Sequence, residues 1–243
     1  MRYTGATRDI SYEATLDFFE SRGRTANTDA PQTATMYQDK ELAQRRDACE
    51  RDTVLPLLAP RQMDRVLDIG CGYGRWAEEL AGKVNDYVGV DFSGELLRLA
   101  RARHLPRTHF QRLAAQEISP ATLERNGPFD LFICAGILIY LNDADVTRLA
   151  DAIALLAAPA ARLYLREPMA VTGDRLTLDR FPSQELKRDY SAIYRTPAQC
   201  HELFGRPLGA AGFVCAVERP LYPPALCNRK ETEQQIQLWT RRA

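Results

Sequence analysis

Between positions 65 and 166 the chain alternates short apolar runs with stretches whose apolar residues recur at helical spacing. The runs predict strands at 65–70, 87–92, 109–114, 129–135 and 162–166, and the periodic stretches predict helices at 75–82, 94–103 and 143–158. Strands and helices in alternation point to parallel βαβ units, and such an open sheet binds ligands beyond the carboxyl ends of its strands, where the winding direction reverses. Upstream, Leu42, Cys49, Val54 and Leu57 predict a helix over 41–58 that Pro56 and Pro60 disturb only near its end. Residues 1–34 are polar and turn-rich around Gly23, Asn27 and Pro31, with an amphipathic patch from Ile10 to Phe19, and read as a mobile cap. The stretch 168–197 breaks the rhythm and reads as an insertion over the binding edge. A helix at 198–210 and strands at 212–219 and 235–240, an antiparallel pair, complete the α/β fold. The expected organisation is an N-terminal cap and helix at 1–60 and a main domain at 61–243 with a substrate-covering insertion at 168–197.

Composition narrows the partner. With 243 residues the chain is one full domain with a modest extension, and Lys+Arg 32 against Asp+Glu 32 leaves no net charge. A nucleic-acid binder needs a basic excess or stripe to displace counterions, so a small-molecule partner is expected, acting on a monomer or homodimer, with no nucleic acid and no membrane. Arg2, Arg8, Asp9, Glu13, Asp17 and Glu20 are incompatible with a secretory signal, and the longest uncharged run, twelve residues at 131–142, is too short to span a bilayer, so a cytoplasmic location is expected. The six cysteines show no C-x-x-C pair and read as reduced thiols. No metal is implied: Asn142, Asp143 and Asp145 read as a helix start, with Asp143 as its cap.

The strongest signal is Val66-Leu67-Asp68-Ile69-Gly70-Cys71-Gly72-Tyr73-Gly74-Arg75-Trp76, a buried strand, a glycine turn and a helix start. Glycines there let the backbone approach a ligand closely. A dinucleotide fingerprint requires a glycine where Arg75 stands, so that spacing fails. Asp68, just before the turn, would repel a pyrophosphate but attract an ammonium group. The second strand ends in Asp91, twenty-one residues after Gly70, where an acid can accept hydrogen bonds from ribose hydroxyls.

Here the sequence resembles the class I S-adenosylmethionine-dependent methyltransferases, over about 66–166. The resemblance implies a Rossmann-like mixed seven-stranded sheet with helices on both faces. It also implies S-adenosylmethionine as cofactor and S-adenosylhomocysteine as product. Carried over by position, it places Asp68 and Gly70 beside the methionine moiety, Asp91 on the ribose and Phe92 beside the adenine, and it counts Cys71, Gly72, Gly74 and Trp76 among the cofactor-binding residues. Ala115 and Gln116 match the adenine edge, although many members have an acid at 114 or 115, and Ala135 and Gly136 would line the sulfonium channel. Arg46 and the cap residues Met36 and Tyr37 are expected to close over the ligands, Arg46 on the cofactor and Tyr37 on the substrate.

Methyl transfer from a sulfonium is an in-line displacement that depends chiefly on alignment, so a dedicated base is optional. His104 and His109 fall at the edge away from the site and His201 in a late helix. Tyr140 and Glu167 are the expected catalytic residues, Glu167 taking a proton or orienting the acceptor. Arg166, Tyr190, Tyr194 and Arg195 are expected to hold the substrate. If the insertion is helical, the spacing of Tyr190 and Tyr194 puts both rings on one face.

More narrowly, Thr35 to Asp39, Gly136 to Asp143, Arg175 to Leu178 and Tyr190 to Thr196 resemble segments of bacterial natural-product and surface-polysaccharide methyltransferases, the toxoflavin-type N-methyltransferases among them. That implies methylation of nitrogen, or oxygen, on a small metabolite such as a heteroaromatic natural-product or toxin intermediate. The alternatives are an O-methyltransferase of a sugar or phosphonate, and a non-catalytic module that retains the cofactor pocket.

Overall fold

The structure, a computed structural model, describes residues 1–26, 31–34, 39–184 and 186–242. In chain order its elements are β1 (Arg2–Thr4), α1 (Tyr12–Arg24), α2 (Lys40–Leu58), β2 (Arg65–Ile69), α3 (Arg75–Leu80), β3 (Asp86–Asp91), α4 (Gly94–Arg101), β4 (Thr108–Arg112) and β5 (Phe129–Ala135). There follow α5 (Asp143–Leu156), β6 (Ala157–Ala170), β7 (Leu176–Ser183), β8 (Arg188–Tyr194), α6 (Pro197–Cys200), α7 (Arg206–Ala210), β9 (Phe213–Pro220) and β10 (Thr232–Arg241). A single π turn, His201–Gly205, joins α6 to α7.

A seven-stranded sheet runs in the order β4-β3-β2-β5-β6-β10-β9. Its first five strands are parallel, and β10 is antiparallel to both β6 and β9. Val66, Leu67 and Ile69 of β2 and Leu131, Phe132 and Ile133 of β5 are fully buried, the apolar pattern of strands covered on both faces, broken in β2 only by the buried Asp68. One core lies beneath α5 and α7 and joins Leu67, Ile69 and Phe132 to Leu149 and Ile153, and the other lies beneath α2 and α3 and joins Val66, Leu131 and Tyr164 to Val54 and Leu80. Successive strands leave β2 in opposite directions, β3 to one side and β5 to the other, so the crevice expected of a doubly wound sheet opens at their carboxyl ends.

A second, three-stranded antiparallel sheet, β1-β7-β8, lies over that edge. The insertion is therefore a β-hairpin rather than a helix: Leu176 and Leu178 alternate with polar neighbours, as do Tyr190 and Ala192, and a two-residue period is satisfied by a strand. Tyr190 and Tyr194 still share one face, because a separation of four residues is also a multiple of two. β6 continues to Ala170, so the insertion begins three residues later than the sequence suggests. The first residues pair with it, Arg2 opposite Leu178 and Thr4 opposite Leu176, so the N-terminal segment and the hairpin form one cover. Phe18, Phe19, Leu96, Ile139, Ala170, Tyr190 and Tyr194 give that cover its own small core. The segment expected as a mobile cap thus packs into this core through α1.

Candidate functional site

A cavity opens beneath the cover, lined by the residues that follow β2, β4 and β5, by the ends of β3 and β6, and by α1 and the hairpin. Its floor is the glycine turn. Gly70 and Gly72 have φ of 70° and 55°, left-handed values that glycine adopts without strain, and a Cβ on Gly70 would stand 2.0 Å from Ile137 Cδ1. Gly74, also left-handed at φ 78°, does not line the cavity; it caps α3 and its α-carbon faces Ala100 of α4, where a Cβ would approach to 3.1 Å. The other residues expected around the cofactor, Asp68, Gly70, Cys71, Gly72, Trp76, Asp91, Phe92, Ala115, Gln116, Ala135, Gly136 and Arg46, all border it.

Asp91 ends β3 with both oxygens engaged, Oδ2 accepting from the Gly72 amide at 2.9 Å and Oδ1 from the Ser93 amide at 2.8 Å. Burial lifts its carboxyl to about 6 although both amides pull it down. Asp68 accepts a hydrogen bond from the Tyr87 hydroxyl, and burial lifts it further, to about 7. Arg46 is buried and donates to the Leu226 carbonyl and, at 2.9 Å, to Asn228 Oδ1, which ties α2 to the C-terminal loop beside the cavity.

Charged groups that, Arg166 apart, the sequence pattern did not single out support this wall. Arg75 pairs with Asp47 and Glu50, each at 2.9 Å, and Arg166 approaches Glu50 at 3.4 Å, while the Tyr164 hydroxyl donates to Glu50 at 2.7 Å. Burial would raise the Glu50 carboxyl, but Arg166 and Arg75 outweigh it and hold the group down at about 2. In the sequence Arg75 is visible only as the residue that breaks the dinucleotide fingerprint. Its acids lie on α2, and only the tertiary fold brings them to it.

The part of the cavity beneath α1 and the hairpin is aromatic. Phe18 packs on Tyr190 with ring centroids 5.4 Å apart, Phe19 on Tyr140 at 5.0 Å and on Phe92 at 5.8 Å. The Tyr140 and Tyr190 hydroxyls are 2.9 Å apart, and burial pushes both phenols well above their ordinary range, so they are neutral hydrogen-bonding groups. Tyr194 and Arg166 also line the space.

Two expected residues lie elsewhere. Glu167 is fully buried outside the cavity wall, its Oε1 accepting from the Ile137 and Leu138 amides at 2.7 and 2.9 Å and its Oε2 from Ile139 at 3.3 Å. The cause is strand alternation: Arg166 and Pro168 of β6 face the cavity, so Glu167 between them faces away and anchors the turn after β5. Arg195 is likewise buried, donating to Asp143 and to the Leu138 and Leu141 carbonyls, and it fastens the end of the hairpin to that same turn. Asp143, read as a helix cap, instead pairs with Arg195 and Arg175, each at 2.6 Å, and the cap position is Asn142. Tyr37 and Met36 lie outside the described residues. His104, His109 and His201 do not border the cavity.

Residues missed by the sequence reading include Tyr12, Phe18, Phe19 and Arg22 on α1 and Tyr222, Thr232 and Gln234 near the C-terminus. The amphipathic patch ending at Phe19 was the available signal for the first group. For Thr232 and Gln234 there was none, because β10 reaches the site only by pairing with β6, and Tyr222 lies in the loop that leads from β9 to β10.

Residues 66–160 match the family model described as a methyltransferase domain. Phosphoethanolamine N-methyltransferase 1 of Arabidopsis thaliana is 27% identical over 157 residues, 65% of this chain and 32% of that protein. The ubiquinone biosynthesis O-methyltransferase of Xylella fastidiosa is 33% identical over 101 residues, 42% of this chain and 40% of that protein. The chain thus spans well under half the length of these relatives. The solved structure of phosphoethanolamine N-methyltransferase 1 from Haemonchus contortus, in complex with phosphoethanolamine and S-adenosylhomocysteine, matches with TM-score 0.70 at 20% identity, covering 96% of this chain and 50% of that one.

Proposed function

The chain has the class I S-adenosylmethionine-dependent methyltransferase fold, with a methyltransferase domain at residues 66–160, and we propose that it methylates a nitrogen of a small heteroaromatic metabolite of natural-product or toxin biosynthesis. The residues present fit the cofactor: a left-handed glycine turn leaves room for close approach, and Asp91 stands at the tip of β3. S-adenosylmethionine supplies a methyl group already activated as a sulfonium and leaves as the thioether S-adenosylhomocysteine.

The observation that carries the choice of nitrogen is the chemistry of the acceptor wall. Among the described residues the acids bordering the cavity are Asp68 and Asp91, both at the glycine-turn end, and no histidine or lysine borders it. Tyr140 and Tyr190 are neutral and Glu167 is engaged by three amides. A sugar hydroxyl needs a base to become a nucleophile, whereas a ring nitrogen brings its own lone pair and needs only alignment. Phe18, Phe19, Tyr140 and Tyr190 offer ring edges and faces for a flat acceptor, and the two tyrosine hydroxyls can orient its heteroatoms.

The test is calorimetric titration with S-adenosylhomocysteine, with NADH as control, followed by transfer of labelled methyl to panels of heteroaromatic amines, sugars and phosphonates. S-adenosylhomocysteine binding and label on a heteroaromatic nitrogen are expected. Label on a sugar or phosphonate oxygen overturns the acceptor assignment, and binding without transfer to any panel favours a non-catalytic module.

A further inference from the structure

Residues 137–141, between β5 and α5, form a single tight turn whose Ile137, Ile139, Tyr140 and Leu141 line the cavity. Within it the Tyr140 amide donates to the Ile137 carbonyl at 2.9 Å and the Leu141 amide to the Leu138 carbonyl at 3.2 Å. A turn this short leaves most of its end groups without an internal partner. Two buried side chains of opposite charge supply what is missing. Glu167 accepts from the Ile137, Leu138 and Ile139 amides, and Arg195 donates to the Leu138 and Leu141 carbonyls, each at 2.6 Å. Loss of either ion leaves buried backbone groups unpaired, so the shape of the turn depends on both.

The two ions come from different parts of the fold. Glu167 belongs to β6 of the main sheet, whereas Arg195 follows β8 at the end of the hairpin. Arg195 also gives Nε and Nη2 to Asp143 Oδ1 at 2.9 and 2.6 Å. Arg175, just before β7 at the hairpin's other end, gives Nη1 to Asp143 Oδ2 at 2.6 Å. Both ends of the hairpin therefore meet on one carboxylate, through two guanidiniums that are each 2% exposed. The arginines differ in one respect. The further bonds of Arg175, to Thr177 Oγ1 at 3.4 Å and the Arg8 carbonyl at 3.5 Å, stay within the cover and the segment leading into α1, whereas those of Arg195 reach the turn.

Resting on the methylation reading above, we propose that Arg195 is a positioning residue for methyl transfer, which sets the turn 137–141 in the cavity wall according to how the hairpin is seated, whereas Arg175 seats the hairpin alone. The turn is placed to carry such an effect. Ile137 abuts Gly70 so closely that a Cβ there would stand 2.0 Å from its Cδ1, and the Tyr140 hydroxyl meets that of Tyr190 at 2.9 Å. One short segment thus touches the glycine turn on one side and the cover on the other. A displacement of about 1 Å at a reacting centre costs up to about a hundredfold in rate, so loosening this wall should be felt in turnover.

The experiment compares the parent with Arg195→Lys and Arg175→Lys, well below their melting transitions. Each variant keeps a cation for Asp143 and loses the planar fork, which one ammonium group does not replace. The first readout is hydrogen exchange of the ligand-free protein, followed by mass spectrometry on peptides covering 136–142 and 176–194. Arg195→Lys is expected to quicken exchange in the turn by about tenfold or more, and Arg175→Lys to quicken it in the hairpin while the turn exchanges as in the parent. The second readout is steady-state methyl transfer to the heteroaromatic amine that the parent labels. Here kcat should fall about tenfold in Arg195→Lys and stay within about twofold of the parent in Arg175→Lys. Turn exchange unchanged in Arg195→Lys, or quickened equally in both variants, overturns the proposal. So does an equal loss of kcat in both, the result of a structural role shared by the two arginines. Arg195→Gln, whose amide can reach one carbonyl, provides the same comparison should the lysine variant fail to fold. A parent that labels no amine defeats the methylation reading, while the exchange comparison still decides whether Arg195 holds the turn.

Discussion

The Gly72 amide donates to the Asp91 carboxylate at 2.9 Å and so couples the turn after β2 to the tip of β3. Two adjacent parallel strands thereby share one hydrogen-bonded corner, and the acid is oriented before any ligand arrives. Asp91→Ala removes the acceptor for that amide and for Ser93, together with the group proposed to take the ribose hydroxyls. Its affinity for S-adenosylhomocysteine should fall by about a hundredfold, the scale of two charge-assisted hydrogen bonds. Asp91→Asn keeps one acceptor oxygen and serves as the folding control in circular dichroism. Affinity in Asp91→Ala equal to that of the parent would falsify the cofactor-site assignment.

The raised carboxyls of Asp68, at about 7, and Asp91, at about 6, make stability depend on pH in a definite direction. An acid whose folded value lies above its ordinary value of about 4 binds its proton more tightly when folded. Its contribution is complete below about pH 4 and is lost as pH rises through the folded value. The ligand-free protein should therefore melt several degrees lower at about pH 8 than at about pH 5, with roughly 2–4 °C per kcal/mol at this size. Asp68→Asn should flatten that slope. A steeper or unchanged slope in the variant would show that the titration resides elsewhere. Glu50, held at about 2, acts in the opposite sense: its contribution is present above about pH 4.5 and lost as acid is added toward pH 2.

Glu167 anchors the turn carrying Ile137, Leu138 and Ile139, and Glu167→Gln replaces an acceptor oxygen with a donor that confronts these amides. Leaving one or two of them unpaired costs about 1–3 kcal/mol. A melting temperature lower by about 3–8 °C is expected, with the pH dependence of kcat/KM retaining the parent's shape. Loss of one limb of the pH profile at an unchanged melting temperature would restore Glu167 as a general base.

Tyr190 bridges the hairpin to Tyr140 through a hydroxyl pair 2.9 Å apart, and both residues line the cavity. Tyr190→Phe keeps the ring against Phe18 and removes one hydrogen-bonding group. KM for the acceptor should rise about fivefold, the equivalent of one neutral hydrogen bond, with S-adenosylhomocysteine affinity unchanged. Steady-state kinetics and calorimetry on the same preparation separate the two. An equal loss of cofactor affinity would place the hydroxyl pair in the cofactor half instead.

Local sequence determined the parallel half of the sheet and most of the cavity wall around the glycine turn. An uninterrupted apolar run such as Leu131 to Ala135 is compatible with few environments other than a strand buried on both faces, and the glycines after β2 mark a turn that only glycine enters freely. Because strand, turn and terminal acid are close in sequence and fixed by backbone geometry, Asp68, Gly70, Gly72 and Asp91 could be placed without the fold. Side-chain direction and long-range pairing could not. Whether Arg166 or Glu167 meets the cavity depends on the register of β6, and Arg195 lies next to the cavity-lining Tyr194 yet faces Asp143. The spacing of Tyr190 and Tyr194 left hairpin and helix undistinguished, because four residues fit a strand face as well as a helix face. The Arg75, Asp47 and Glu50 cluster, the α1 aromatics and the approach of β10 join residues as far apart in the chain as Phe18 and Tyr190. Such contacts leave no local period, because burial and complementary charge select them only after the chain has closed on itself.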